Sequence, residues 1–585
     1  MRGTCAQWLN AAGPSWQGRF RRRKWRGTLG GDVIDVAAAI AVMVMGLLFA
    51  VPAYAEEDGP ADSQQRAALS QITDSSLRAH IRFLASDQLE GRGPGSRGDE
   101  LAQQYIATQF ESMGLLAAAP QGGWSQPVPL VGVLSHAPKA LAFQREGQQL
   151  ELKYFDDFIV ASGRPVPRVE VQDAEVVFVG YGITAPEYGW DDFKGMDLRG
   201  KILLMMNNDP ATDPQLFGGS TRLYYGRWDY KYASAARQGA AGAILIHTDE
   251  SAGYPYRVVQ TSWTGEEFEL RDQQGPRTDF KGWVTDDGAR RLVRFAGHDL
   301  DKLRQAAESR EFRPVPLGTR VSLEITSDVR QRDTGNVVGL LPGSDPQLNQ
   351  QALVYMAHHD HIGLAAERNE KGDNIYNGAV DNASGVSVLL SIARAHASLP
   401  ERPRRSILFV SVGAEEQGLL GSEYFAAHPP KPARDLAAVI NVDGINILGP
   451  TRDINLIGKG KSNLDAHVER LARWQRRVVV PDQFPDRGYY YRSDQFSLAK
   501  IGVPGIYLHA GVEVVGKPEG WGREQREAWV QTHYHQPSDE YNPDWDLRGA
   551  IQDAQLLFYT GCAIADQSEM PRWSPGDEFE SVRRD

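Results

Sequence analysis

Two periods of hydrophobic spacing divide this chain. From Asp74 the apolar positions Leu77, Ile81, Leu84 and Leu89 recur at helical spacing, and Leu101, Tyr105, Ile106, Phe110 and Met113 mark a second amphipathic helix that Gly114 is placed to end. Between them Gly91 to Gly98, GRGPGSRG, reads as a turned loop. Residues 120–165 read as short strands and turns. Around Val169 the pattern shifts to apolar strands at Val176–Val179, Lys201–Met206 and Ala243–Ile246, with a helix at Tyr232–Gly239. After Thr334 the chain alternates strand, loop and helix. Strands are predicted at 337–341, 352–356, 406–412, 437–442 and 505–508, and helices at 384–397, 420–427, 463–474 and 550–565. That alternation predicts an α/β fold, a mostly parallel sheet with helices on both faces, whose ligands bind beyond the carboxyl ends of the strands.

Length and charge narrow the class. A chain of 585 residues exceeds the usual ~150-residue domain several-fold, so more than one domain is expected. A net charge of −12 without a dominant basic patch speaks against a nucleic-acid binder. At the N-terminus, RFRRRKWR (Arg19 to Arg26) precedes an apolar run from Val36 to Val51 and the sequence Ala53-Tyr54-Ala55. This is the layout of a secretory signal over 1–55, so the mature protein is expected in the periplasm or outside the cell, with no membrane span after cleavage. The signal holds seven Lys/Arg against two Asp, so the chain without it carries −17. The expected domains are the N-terminal part of a main domain at 75–168, an insertion at 169–317, the rest of the main domain at 330–566 and a flexible tail at 567–585.

The residues that follow the predicted strands carry the chemistry. Strand 352–357 runs into His358-His359-Asp360-His361, strand 406–412 into Gly413-Ala414-Glu415-Glu416, and strand 437–442 into Asp443. Asp381 lies in a turn that opens a helix, and His533-Tyr534-His535 comes near the C-terminus. Singly, each has an ordinary reading: Asp443 as a turn former, Asp381 as a helix cap, Glu415-Glu416 as a solvated pair. Together, acids and imidazoles gathered at one sheet edge call for a cation, and a donor set without thiolate suits zinc, with cobalt or manganese as alternatives.

The strings AHHDHIG, NGAVDNASG, GAEEQG, NVDG and YHQPSDEY, in that order, resemble the co-catalytic di-zinc exopeptidases, the family of secreted bacterial aminopeptidases and glutamate carboxypeptidase II. The stretch from Leu84 to Leu115 resembles the family's N-terminal helix and Gly-Arg loop, and 169–317 is similar to the protease-associated domain that many members carry as an insertion. The resemblance implies two zinc ions: His358 and Asp443 on one, Glu416 and His535 on the other, Asp381 bridging. It further implies Asp360 as a carboxylate that orients a ligand, Glu415 as general base and Tyr534 as a donor to the oxyanion. His359 and His361 take structural roles.

Tyr491 and Arg492 lie in the region that borders the family's specificity pocket. They could bind an apolar side chain or a substrate carboxylate, as in an aminopeptidase or a carboxypeptidase respectively. The expectation is an aminopeptidase acting on peptides or proteins. The alternatives are a carboxypeptidase of the same family, a different zinc amidohydrolase and a non-catalytic binding ectodomain on the same fold.

Overall fold

The computed structural model describes residues 63–365, 368–369 and 371–583, and every structural statement below concerns those residues. The signal expected over 1–55 lies outside them. Two helices come first, α1 (Asp74–Leu84) and α2 (Arg97–Ser112). Each starts on a hydroxyl cap, Thr73 accepting from the Ser76 N–H and Ser96 from that of Asp99. Their apolar faces, among them Leu77, Ile81, Ile106 and Phe110, enter the main core.

The chain leaves this core through β1 (Ser125–His136), builds a second core, and returns through β2 (Val315–Leu341), a strand of 27 residues. β1 and β2 pair antiparallel from His136/Thr326 to Ser125/Val337, a ribbon that carries the second domain on the first. The second core takes Leu141, Phe143, Phe158 and Val160 together with Val176, Phe178 and Ile244. The second core therefore also draws on the strands Ala140–Arg145 and Phe158–Ser162, which precede the insertion expected from Val169. The chain has no break at Leu317 or at Arg330, because β2 runs unbroken through both positions. A change of composition marked neither edge, since one hydrogen-bonded strand serves both cores.

The main sheet is built from β3 (Ala352–His358), β4 (Ser406–Val412), β5 (Leu436–Asn441), β6 (Asp453–Ile457), β7 (Val478–Pro481) and β8 (Gly505–His509). Its order is β2-β4-β3-β5-β8-β6-β7. The strands β4, β3, β5 and β8 are mutually parallel, while β2 and β6 join their neighbours β4 and β8 antiparallel. Every residue of β3 and β4 is buried, as expected for parallel strands covered on both faces. One face packs on α1, α2, α3 (Ser384–Ala397) and the long C-terminal helix Arg548–Asp566. The other packs on α4 (Leu420–Ala427) and the short helix Gln495–Ala499.

The segment after Gln567, expected to be flexible, is anchored. Trp573 and Phe579 are buried against Tyr490 and Tyr491, and Trp573 Nε1 donates to the Gly502 carbonyl at 2.9 Å. Its charge and prolines suggested mobility, but Trp573 and Phe579 give it apolar anchors. Among the described residues no helix is long and apolar enough to cross a membrane.

Candidate metal centre

Parallel register brings the carboxyl ends of β3, β4 and β5 side by side. His358 is the last residue of β3 and sits opposite Val412 of β4. Glu415 and Glu416 follow β4, and Asp443 follows β5. Asp381 comes from the turn before α3, and the peptide bond that follows it is cis. Asn382 ties that turn to the end of β5: its side-chain amide donates to the Val442 carbonyl and its Oδ1 accepts from the N–H groups of Gly385 and Gly444. His535 lies just past helix α5 (Trp521–Thr532).

Two imidazoles face a cluster of carboxylates. His358 Nε2 is 3.4 Å from Asp381 Oδ1, 3.4 Å from Asp443 Oδ1 and 4.0 Å from Glu415 Oε2. His535 Nε2 is 3.3 Å from Asp381 Oδ2 and 2.9 Å from Glu416 Oε2. The two oxygens of Asp381 thus turn to different histidines, the disposition of a bridging carboxylate. Glu415 stands close enough to His358 and Asp443 that these three could also gather round one ion.

Three observations test the fit to zinc. Donors about 2.0–2.1 Å from a tetrahedral ion lie roughly 3.3–3.4 Å apart, which is the spacing found here between imidazole nitrogen and carboxylate oxygen. Both histidines aim Nε2 inward and engage Nδ1 elsewhere, His358 with the Asp360 carbonyl at 3.3 Å and His535 with Ser262 Oγ at 2.9 Å. Finally, four carboxylates crowd two imidazoles in a largely buried site, an excess of negative charge that a divalent cation would neutralise. The residues fit the metal.

The protonation tendencies follow the same crowding. Burial, helped by the charges of Asp494, Asp443 and Glu416, pushes Glu415 well above the ordinary carboxylate range in spite of His358. Burial and Asp381 also push Glu416 up, but His535 and His361 outweigh them and hold it at about 2. The two adjacent glutamates are thereby set apart, one held ionised and the other able to carry a proton.

A surrounding layer fixes these groups. The Asp360 oxygens accept the N–H groups of Glu415 and Glu416 at 3.0 and 3.3 Å, so the expected orienting carboxylate holds the turn that carries both glutamates. Three supports escaped the sequence reading. Arg92, wholly buried, donates to the carbonyls of Leu84, His359, Asn377 and Gly378, and burial lowers its guanidinium to about 10. Asp539 accepts the N–H groups of Val380 and Asp381 and so aims the Asp381 turn. His361 donates from Nδ1 to Glu416 Oε1 at 2.6 Å, a more specific part than general structural packing. Apart from Leu84, these partners lie more than fifty residues apart in sequence.

A cavity of about 580 Å³ opens on the centre. The second domain contributes Trp228, Tyr254 and Trp263 to its wall, and the main domain Ile447, Tyr489 and Trp529. Thr261, beside Ser262 in the helix Tyr256–Ser262, donates to the His535 carbonyl at 3.1 Å, so the second domain reaches a residue of the centre directly. Tyr534 stacks on His535 with ring centroids 3.9 Å apart, and its hydroxyl accepts from Arg492 at 3.1 Å. Of the two expected substrate residues, Arg492 lines the cavity and Tyr491 does not. The ring of Tyr491 is buried among Tyr490, Phe496 and Trp573, and its hydroxyl donates to Glu578 at 2.6 Å. Tyr489 takes the place expected of it. The three tyrosines share one tight helical turn, where consecutive side chains point in different directions.

The fold places at its strand ends a donor set that fits zinc. Residues 336–559 match the model of Peptidase family M28. Aminopeptidase NAALADL1 of Mus musculus is 35% identical over 134 residues, 22% of this chain and 16% of the relative. Aminopeptidase YwaD of Bacillus subtilis is 34% identical over 94 residues, 16% of this chain and 17% of the relative. The chain thus spans less than a fifth of the length of these curated relatives. The solved aminopeptidase from Aneurinibacillus sp. strain AM-1 is similar with a TM-score of 0.51 at 20% identity, covering 86% of this chain and 97% of that one, which shows a shared fold.

Proposed function

We propose that the protein is an exported zinc aminopeptidase that hydrolyses N-terminal peptide bonds. The observation that carries this reading is the convergence of five donors from separate elements on one point, with Glu415 beside them and an open cavity in front. His358, Asp381 and Asp443 would hold one zinc ion, and Asp381, Glu416 and His535 the second. When bound, zinc supplies Lewis-acid polarisation of a carbonyl and makes water a nucleophile near neutral pH.

The chain's own groups do the rest. Glu415 takes a proton from the attacking water and delivers it to the leaving nitrogen, a role suited to its place beside His358 and outside both proposed ligand sets. The Tyr534 hydroxyl accepts from Arg492, so its own proton is free to donate to the developing oxyanion. Asp360 keeps the two glutamates in register, one to hold metal and the other to move protons. Aromatic residues of both domains bind the substrate and limit access of water; we read the second domain as a protease-associated domain that forms this part of the wall.

That both of these relatives are aminopeptidases supports the aminopeptidase direction. One observation favours the carboxypeptidase alternative, the Arg492 guanidinium in the cavity. Free-amine and N-acetylated versions of one peptide distinguish the two. The aminopeptidase reading expects cleavage of the free amine alone, and cleavage of the blocked peptide from its C-terminus would overturn it. For export, N-terminal sequencing of the periplasmic or secreted product is expected to begin at Glu56.

A further inference from the structure

The two histidines of the centre are held in different ways. His358 ends β3, and its Nδ1 lies 3.3 Å from the carbonyl of Asp360, two residues further along the same segment. His535 follows α5, and its Nδ1 lies 2.9 Å from Ser262 Oγ, which belongs to the second domain and is 273 residues away in the chain. Among the described residues Ser262 is the only hydrogen-bond partner of that nitrogen. The Nε2 of His535 faces Asp381 and Glu416. A ring nitrogen that turns its lone pair to a cation leaves the proton on the other one, so Nδ1 donates to Ser262 Oγ.

The other contacts of His535 are less directional. Tyr534 stacks on its ring with centroids 3.9 Å apart, and the ring of His361 stands nearly perpendicular to it at 5.6 Å. Such ring contacts let an imidazole slide and turn, whereas a hydrogen bond to one nitrogen aims the opposite one. The backbone of His535 needs support as well, because its φ of 52° lies in the left-handed region. Its carbonyl accepts from the Gln536 side-chain amide at 2.7 Å. The Thr261 hydroxyl lies 3.1 Å from the same carbonyl and equally far from the carbonyls of Arg257 and Val258 in its own helix. A costly backbone conformation persists where its neighbours hold it, and here one neighbour is again on the second domain.

Ser262 moves with that domain. It is the last residue of the helix Tyr256–Ser262, whose Val259 is buried with Tyr232, Leu245 and Trp283 among the strands of the second domain. Gln260 in the same helix donates to the Phe155 carbonyl at 2.8 Å. The place of Ser262 beside His535 therefore depends on how the second domain is docked, while the Asp360 carbonyl that supports His358 belongs to the main domain.

We propose that Ser262 is a positioning residue for His535, and that the second domain thereby completes one of the two metal positions, that of Glu416 and His535. The position of His358 and Asp443 is complete within the main domain. The inference rests on the zinc peptidase reading but not on its substrate. Coupling of this kind is reciprocal: if docking of the helix strengthens one metal position, metal there strengthens docking of the helix by the same factor. Ser262 then belongs with the supports of the centre, although its helix also borders the cavity.

The test uses the metal-free full chain, titrated with zinc against a chromophoric chelator. Hydrogen exchange of residues 256–262 is followed before and after loading. Wild type should take up two zinc ions, and loading should slow exchange in the helix. Ser262→Ala should bind one ion as tightly as wild type and the other about tenfold to a hundredfold more weakly, the usual cost of losing such a partner. Loading should also slow exchange in its helix by a smaller factor. Ser262→Thr, which keeps the hydroxyl, should recover most of the affinity and of the protection. Two ions held by Ser262→Ala as by wild type, both weakened alike, or equal slowing of exchange in the two proteins would overturn the proposal. Peptide hydrolysis by wild type together with unaltered zinc binding in Ser262→Ala would remove the role of Ser262 and leave the peptidase. One weakened ion in Ser262→Ala, with no peptide cleaved by wild type, would do the reverse.

Discussion

The donor cluster and the cavity wall in front of it are built in opposite ways. The cluster stands on the ends of fully buried parallel strands, and the turns that carry it are tied down by hydrogen bonds that Arg92 and Asn382 donate and that Asp360 and Asp539 accept. The wall is assembled from two domains by half-buried aromatic rings and guanidinium groups whose contacts are mainly faces, not fixed hydrogen bonds. Where charges must keep their separation for the chemistry, the chain spends buried polar contacts. Where a substrate must be accommodated, it uses rings and cations that can slide. The contrast implies that substitutions of the ligands and their supports in the first region change metal content and turnover together, that Glu415 changes turnover alone, and that substitutions in the second region change substrate preference alone.

Removing the proton carrier while leaving its neighbours in place is the harshest probe of the cluster. Glu415→Gln should lower kcat by about 10²–10⁴ with the zinc content of wild type, read by steady-state kinetics beside elemental analysis. Full turnover in that variant would take Glu415 out of the mechanism. Next in size is Arg92→Met, which leaves four buried carbonyls without their donor. Denaturant unfolding should show a loss of at least about 3 kcal/mol, and zinc should be held less tightly. His361→Ala frees one oxygen of Glu416 and should weaken zinc by about tenfold to a hundredfold in a chelator competition, with His361→Asn partly restoring it. The wall should answer differently. Trp228→Leu should change KM for peptides by less than about tenfold, roughly the 1–1.5 kcal/mol of an aromatic contact, with zinc content and unfolding midpoint unaltered. A fall in zinc content there would erase the distinction between the two regions.

The same contrast decided what could be read in the sequence. Buried parallel strands appear as unbroken apolar runs, so the polar residues that end them, His358, Glu415, Glu416 and Asp443, stand out against their surroundings. Asp381 and His535 belong to turns, and were assigned through the resemblance rather than through periodicity. The supports Arg92 and Asp539 remained hidden because, Leu84 apart, their partners are more than a hundred residues away in the chain. The wall was less legible still. Tyr489, Tyr490 and Tyr491 carry no strand alternation that would tell the cavity side from the core side, and Tyr491 was chosen where Tyr489 serves. The junction between the two cores left no mark in the sequence, because β2 continues through both Leu317 and Arg330. The tail after Gln567 did carry a signal, Trp573 and Phe579, which its charged surroundings obscured.

Anomalous diffraction at the zinc edge from crystals of the metal-loaded protein bears most directly on the paired centre. The account expects two peaks, one among His358, Asp381 and Asp443, the other among Asp381, Glu416 and His535. A single peak, or density away from Asp381, would refute it.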